Sequence, residues 1–275
     1  MLEFKLKDRT ISTERNAFVA GIVNVNNDSF WKGSRGGFSL AKRLILEKAD
    51  ILDIGAESSR PGSKYISEKD ELKALIPLIR KIRKFSDIPI SVDTRKKNVF
   101  EACMQEGADI LNDISALEDD SQMARYAGNE KIPVILMHKR KNPDIMQKYT
   151  EYEDVFKEVE DYLYSRIQYA VENGIDEDKI IIDPGIGFAK DLHANLVLIK
   201  NCGRLCSGKY PLMMALSRKS FLGLLTGKTV DKRLAGTVSA NLYSVINGAK
   251  FVRVHDVKEA VDSLDVLKGI LNAGS

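Results

Sequence analysis

The chain is poor in cysteine: Cys103, Cys202 and Cys206 are its only thiols. Three cannot all pair internally, and no companion pair stands at zinc spacing. They read as buried or idle thiols in a reducing compartment. No apolar run approaches the ~20 residues of a membrane span. The opening MLEFKLKDRTISTERN is too polar for the apolar stretch of a signal peptide. These absences predict a cytoplasmic protein with no membrane partner. One-sided charge is lacking too, since 42 basic and 39 acidic side chains leave a formal net charge of only +3. Nucleic-acid binding needs a larger or more clustered excess, whereas a local cationic site for a small anion does not. HExxH and the Gly-rich Rossmann and P-loop fingerprints are missing. That argues against zinc, dinucleotide and nucleoside-triphosphate sites of those kinds. Repeats, low-complexity tracts and linkers are absent as well.

What is present fits one architecture. The 275 residues lie near the ~250 of a barrel and are short for two full domains with a linker. A hydrophobic share of 44% with 29% charged residues is a globular balance with material for a sizeable core. Eight short apolar segments read as buried parallel strands: Ala17–Val25, Ile51–Ala56, Pro89–Thr94, Ile110–Ser115, Pro133–His138, Ile180–Gly185, Leu212–Ser217 and Phe251–Asp256. Near-continuous apolar runs suit strands covered on both faces. Helical sequence separates them. Ser67–Lys84 has Ser67 as its cap and Glu71 in the first turn, with Pro77 expected to kink or break it. Lys97–Glu106 ends at Gly107, Asp154–Asn173 at Gly174, and Val257–Asn272 closes the chain. This alternation predicts a single (β/α)8 TIM barrel, with residues 1–275 as one domain. An open doubly wound sheet is the other arrangement of such units.

The polar residues of these segments fall at one end. Asn24, Asp53, Asp93, Asn112, His138, Asp183, Ser217, Arg253 and His255 sit late in the apolar runs or at their last residues. In a barrel those ends converge on the face where catalytic residues gather. A carboxylate beside a buried strand is costly unless it is paired or used. Individually, Asp53 has a bland reading as a loop anchor, His138 as a satisfied histidine and Asp256 as a helix cap. Three loops add to the pattern. Glu57-Ser58-Ser59-Arg60-Pro61-Gly62 is short and polar. Asp183-Pro184-Gly185-Ile186-Gly187-Phe188 allows close backbone approach through its glycines and carries Phe188 as an exposed aromatic. Ser217-Arg218-Lys219-Ser220-Phe221 sets cations and hydroxyls at a helix start. With Arg253 and His255, this corner predicts an anionic substrate, a phosphate ester or diphosphate, on the usual anion-holding side of a barrel. For a metal, the Asn24 side-chain oxygen with diphosphate oxygens and waters suits Mg2+.

At these same residues the sequence resembles the dihydropteroate synthase family of pterin-binding barrels. The likeness runs from about Phe18 to Leu267. It rests on GIVNVNNDSF at Gly21–Phe30, DIGAESSRPG at Asp53–Gly62, SVDT at Ser91–Thr94, NDIS at Asn112–Ser115 and LMH at Leu136–His138. It continues through DPGIGF at Asp183–Phe188, SRKSFLG at Ser217–Gly223, RLAG at Arg233–Gly236 and RVHDV at Arg253–Val257. The resemblance implies that 6-hydroxymethyl-dihydropterin diphosphate and para-aminobenzoate condense to dihydropteroate and diphosphate. It further implies that Asp93, Asn112, Asp183 and Lys219 bind the pterin, with Met137 and Phe188 as apolar walls. Ser59, Arg60, Pro61 and Ser220 would lie near the aminobenzoate. Asn24 with Mg2+, Arg253 and His255 would stabilise the leaving diphosphate. The loops after the first two strands, Asp28 included, would close over the substrates. Members are commonly homodimers and sulfonamide targets, and Leu234–Ile246 is one helix that suits an interface. The chain departs from the family at Asn26-Asn27 (usually Thr-Pro), Trp31-Lys32-Gly33 (usually Ser-Asp-Gly), Ala56 and Ala189 (usually Gly) and Ser59 (usually Thr). A methyl-carrying pterin barrel and a non-catalytic pterin-binding paralogue are the other readings. The first would not need the Ser217–Ser220 corner with Arg253 and His255. The second would show decay of that corner, which is intact.

Overall fold

The computed structural model describes residues 1–25, 36–57, 65–141 and 145–274. The chain opens on an antiparallel hairpin, β1 (Leu2–Lys5) with β2 (Thr10–Thr13), in which Leu2 faces Thr13 and Lys5 faces Thr10. The eight apolar segments then form eight parallel strands: β3 (Phe18–Asn24), β4 (Ile51–Gly55), β5 (Ile90–Asp93), β6 (Ile110–Asp113), β7 (Val134–Met137), β8 (Ile180–Asp183), β9 (Met213–Met214) and β10 (Phe251–Val254). Their order is β8-β7-β6-β5-β4-β3-β10-β9. Closure comes between β8 and β9, where Ile182 N donates to Pro211 O at 2.9 Å and Ile182 bridges Leu212 in parallel. A doubly wound sheet keeps two free edges, so this closure identifies a (β/α)8 barrel.

Nine α-helices lie among the described residues: α1 (Gly37–Leu46), α2 (Glu68–Arg83), α3 (Lys97–Gln105), α4 (Met123–Asn129), α5 (Val155–Glu172), α6 (Leu192–Lys200), α7 (Ser220–Thr226), α8 (Leu234–Ile246) and α9 (Val257–Leu271). Ser67 caps α2 as expected, its Oγ accepting from Asp70 N. Asp70, not Glu71, answers that cap. Glu71 is wholly buried and pairs with Lys96 at 2.7 Å. Pro77 lies within α2, which runs through it unbroken. Burial of Leu75, Leu78, Ile79 and Ile82 on one face holds the helix despite the lost backbone donor. The Asp154 side chain accepts from Lys157 N to start α5. Asp256 precedes α9 but makes no side-chain cap bond. Its carboxylate takes Arg218 instead, with two contacts at 2.8 Å.

Two apolar compartments follow from strand alternation. Outward residues such as Val19, Leu52, Leu111, Leu136, Ile182 and Val252 pack against the helices in one large core. Inward residues Phe18, Ala20, Ile51, Ile110, Ile135, Ile181, Met213 and Phe251 fill the lower barrel, and Phe4 and Leu6 of the hairpin segment join them. Phe251 stacks on Phe18 at 5.0 Å and meets the edge of Phe4 at 5.3 Å. The hairpin therefore plugs the N-terminal mouth. All three cysteines are free and buried. Among the described residues, no helix is long and apolar enough to cross a membrane.

Candidate active site

Alternation that points Ile51 inward points Asp53 inward two residues on. By the same count Ile110 leads to Asn112, Ile135 to Met137, Ile181 to Asp183, Ala20 through Ile22 to Asn24, and Phe251 to Arg253 and then His255. Register confirms the shared face. Gly55 pairs with Asn24 and with Asp93, Asp93 with Asn112, and Met137 with Asp183. An apolar floor thus supports a polar layer at the C-terminal end.

This layer is wired together. Arg253 Nε donates to Asp53 Oδ2 at 2.6 Å, and its Nη2 donates to Asp93 Oδ2 at 3.1 Å. Asn112 Nδ2 donates to the other Asp53 oxygen at 3.1 Å. Asp53 is 1% exposed, so it binds side chains across the barrel and is no mere loop anchor. Burial opposes the Arg253 charge, but Asp53 and Asp93 outweigh it and raise its pKa. Burial pushes the Asp93 carboxyl up to about 7, against the pull of Arg253 and with a further push from Asp53. Burial also raises Asp183, against Lys219, the Gly185 N–H and Arg253. Lys219 is brought down to about 8 by burial, with Asp183 opposing.

The turn after β8 supplies walls. Phe188 gathers with Met137, Ile114, Met146 and Ala189 in one apolar cluster. At 9% exposure it is buried, contrary to the expected exposed aromatic. The Lys219 ammonium sits 4.9 Å from the Phe188 ring centre and donates to Ile186 O. Gln147 Nε2 donates to Gly187 O at 2.9 Å, and Gly187 N donates to Asn195 Oδ1 at 2.7 Å. Gly185, at φ +66°, has no room for a side chain, since a Cβ would stand 1.9 Å from His138 O. Ala189 takes φ +50°, a left-handed conformation that costs an alanine more than the usual glycine. His138 is buried, and its Nδ1 lies 2.9 Å from Lys190 Nζ.

The anion corner is narrower than expected. Arg218 is 4% exposed, locked onto Asp256 and onto the carbonyls of Val230 and Asp231. It braces the α7 to α9 side and is not offered to a ligand. His255 is buried and held down to about 3 by burial, then by Arg253, Arg218 and Lys219, so it is a neutral imidazole. Ser217 Oγ accepts from the His255 backbone N–H at 3.2 Å and lies 2.9 Å from Nδ1. If the hydroxyl donates to Nδ1, the ring proton is on Nε2, which is then a neutral donor. Ser220 is exposed at the first residue of α7. Asn24 ends β3 and is half-buried. Ser59, Arg60 and Pro61, with Asp28, Asn26 and Asn27, lie outside the described residues.

A family model described as "Pterin binding enzyme" matches residues 20–255. The chain is 36% identical over 273 residues to the dihydropteroate synthase of Bacillus subtilis (strain 168), covering 98% of this chain and 93% of that one. The chain belongs to the dihydropteroate synthase family. The Synechocystis member is 38% identical over 250 residues, 89% of this chain and 86% of that protein. Among solved structures, Yersinia pestis dihydropteroate synthase in a sulfonamide drug complex superposes with a TM-score of 0.93 at 32% identity, covering 99% and 100% of the two chains. Xanthomonas albilineans dihydropteroate synthase with 4-aminobenzoic acid gives 0.90 at 36% identity, covering 98% of each. The family likeness is legible in the strand-end motifs. Other residues of the site are not singled out by sequence alone. Ile114 and Met146 complete the apolar wall. Lys96 bridges Glu57 and Glu71 at 2.6 and 2.7 Å behind Asp93. Lys190 has one available signal, its place two residues after Phe188 in an already conspicuous turn.

Among the described residues no group of three His, Cys, Asp or Glu side chains converges to hold a metal. Among the described residues, Asn24 at the end of β3 carries a neutral side-chain oxygen. That fits Mg2+, which keeps its waters and takes substrate phosphate oxygens in place of a protein cage.

Proposed function

We propose that the protein condenses 6-hydroxymethyl-7,8-dihydropterin diphosphate with para-aminobenzoate to give 7,8-dihydropteroate and diphosphate. The observation that carries this reading is the inward layer of Asp93, Asn112 and Asp183 beside Arg253, against the Met137 and Phe188 wall. A flat heterocycle with adjacent N–H groups suits two carboxylates and an amide over an apolar slab. Xanthomonas albilineans dihydropteroate synthase has been solved both with 4-aminobenzoic acid and with 7,8-dihydropteroate.

Asp183 and Asp93 accept from the pterin edge, Asn112 both donates and accepts, and Lys219 donates to the ring carbonyl or nitrogen. The methylene carbon to oxygen bond breaks, and its electron pair leaves with the diphosphate. The aniline nitrogen then forms the new C–N bond and loses a proton. Arg253 stabilises the developing anion with its charge, and His255 does so through an Nε2–H. Binding the pterin at Asp93 competes with the Arg253–Asp93 pair and turns the guanidinium toward the diphosphate. Asn24 would hold Mg2+, which supplies charge neutralisation to diphosphate oxygens when bound. Ser59, Arg60, Pro61 and Ser220 are proposed for the aminobenzoate. Incubation with both substrates followed by mass spectrometry tests the reading. Dihydropteroate is expected from the wild type and little from Asp183→Asn. Pterin binding without any product would overturn it in favour of a non-catalytic or methyl-carrying relative.

A homodimer is proposed from apolar side chains exposed on neighbouring helices: Leu224 and Leu225 on α7, Tyr243 and Ile246 on α8, Val266 and Ile270 on α9. Light scattering at assay concentration checks it, and a monomeric mass would contradict it. A cytoplasmic location accords with three buried, unpaired thiols.

A further inference from the structure

Lys190 is a buried cation beside the site, and the reaction scheme leaves it unused. It is 4% exposed. Its Nζ lies 2.9 Å from His138 Nδ1, 3.1 Å from Gly185 O and 3.0 Å from Phe188 O. Burial pushes Lys190 well below its ordinary value, with Asp183 opposing; in its charged form the three N–H bonds each meet an acceptor. Donation to Nδ1 requires a neutral His138. Burial, then Lys190 and Arg140, hold that ring well below its ordinary value. Among the described residues no carboxylate is hydrogen-bonded to Nζ. A methionine would fill the same space without the cost of burying a charge. The lysine therefore needs a purpose beyond packing.

Its contacts supply one. Gly185 offers its carbonyl to Lys190 and its N–H to Asp183 Oδ1, at 2.7 Å. Phe188 offers its carbonyl to Lys190 and closes the turn through its N–H onto Gly185 O, at 3.0 Å. Gly185 is pressed against His138 O with no room for a Cβ. Lys190 thus clamps both ends of a turn whose first residue holds Asp183 and whose last is the aromatic wall. We propose that Lys190 is a positioning residue for pterin recognition, clamping this turn so that the Asp183 carboxylate and the Phe188 ring meet the bound heterocycle in a fixed geometry. The proposal rests on the reading of Asp183 as a pterin acceptor.

Calorimetric titration of dihydropterin diphosphate into the full-length Lys190→Met variant tests it. Affinity is expected to fall about ten-fold or more, as for loss of charged hydrogen bonds, while KM for para-aminobenzoate stays near wild type. A second readout separates aiming from packing. Asp183 faces the cations Lys219, Arg253 and Lys190, each of which favours its ionised form. Removing Lys190 raises the Asp183 pKa and moves the acid limb of pterin binding to higher pH. Asp183→Asn in the same assay guards the underlying reading. If it binds pterin normally, the pterin assignment itself fails. If it binds weakly while Lys190→Met matches wild type in affinity and acid limb, the Lys190 proposal alone is overturned. Should Lys190→Met not fold, His138→Gln, which keeps an acceptor for Nζ, is compared with His138→Phe, which removes it. Weaker pterin binding in the phenylalanine variant only is expected, and equal affinities would overturn the proposal.

Discussion

Phe251 and Arg253, Ile51 and Asp53, and Ile181 and Asp183 each stand two positions apart, and all six point into the same barrel. The lower member of each pair is packed among aromatic and aliphatic side chains above the Phe4 plug. The upper member of each is an ionisable group. Their neighbours include Asp93, pushed up to about 7, and Lys219, brought down to about 8. One strand parity therefore serves stability at one mouth and chemistry at the other. The difference lies in what closes each mouth: a hairpin below and, under the proposed function, substrates above.

The sharpest way to break that division is Gly185→Ala, because it places a structural failure at the chemical end. The added Cβ would meet His138 O at 1.9 Å in a left-handed backbone. We expect a loss above about 4 kcal/mol, in the exceptional range for single substitutions, read by denaturant unfolding. Wild-type stability would contradict the packing described. Next is Phe4→Ala at the plug. It should cost about 3 kcal/mol of stability, as for buried aromatic truncation, with kcat/KM of the folded fraction unchanged. A selective loss of activity would undo the separation of the two ends. Asp183→Asn should do the reverse. Pterin binding falls by about 2 kcal/mol for a lost charged hydrogen bond, while stability holds or rises because a costly buried charge is gone.

A further test is in pH. Asp93, faced by Arg253, Asp53, Glu71 and Glu57, titrates near 7 in the folded chain against an ordinary 3.8. Over that window the folded state holds the extra proton, so the Asp93 contribution is full below 3.8 and is lost as pH rises through about 7. Melting of the ligand-free protein should therefore decline across the window, and Asp93→Asn should flatten the decline. Pterin affinity should run the other way, rising as the carboxylate ionises.

The upper layer was legible because polar residues on otherwise apolar strands are conspicuous, and all eight barrel strands were legible for the same apolar runs. The hairpin was not, because Leu2–Thr13 alternates polar and apolar residues over two four-residue strands, with Phe4 and Leu6 buried in the barrel core and Leu2 and Ile11 only partly buried against it. Arg218 read as a ligand-facing cation because its partner Asp256 is 38 residues away in sequence. Glu71, Lys96 and Lys190 look like solvated charges in one dimension. Only the fold brings them inside, where each finds partners from another element. Phe188 likewise gains its cover from Ile114 and Met146, which no local pattern joins to it.

The most direct test of the central claim is diphosphate release by the purified protein given dihydropterin diphosphate and Mg2+, with and without para-aminobenzoate. The account predicts release that depends on para-aminobenzoate and disappears in Arg253→Ala. Absence of release from a protein that binds the pterin tightly would contradict it.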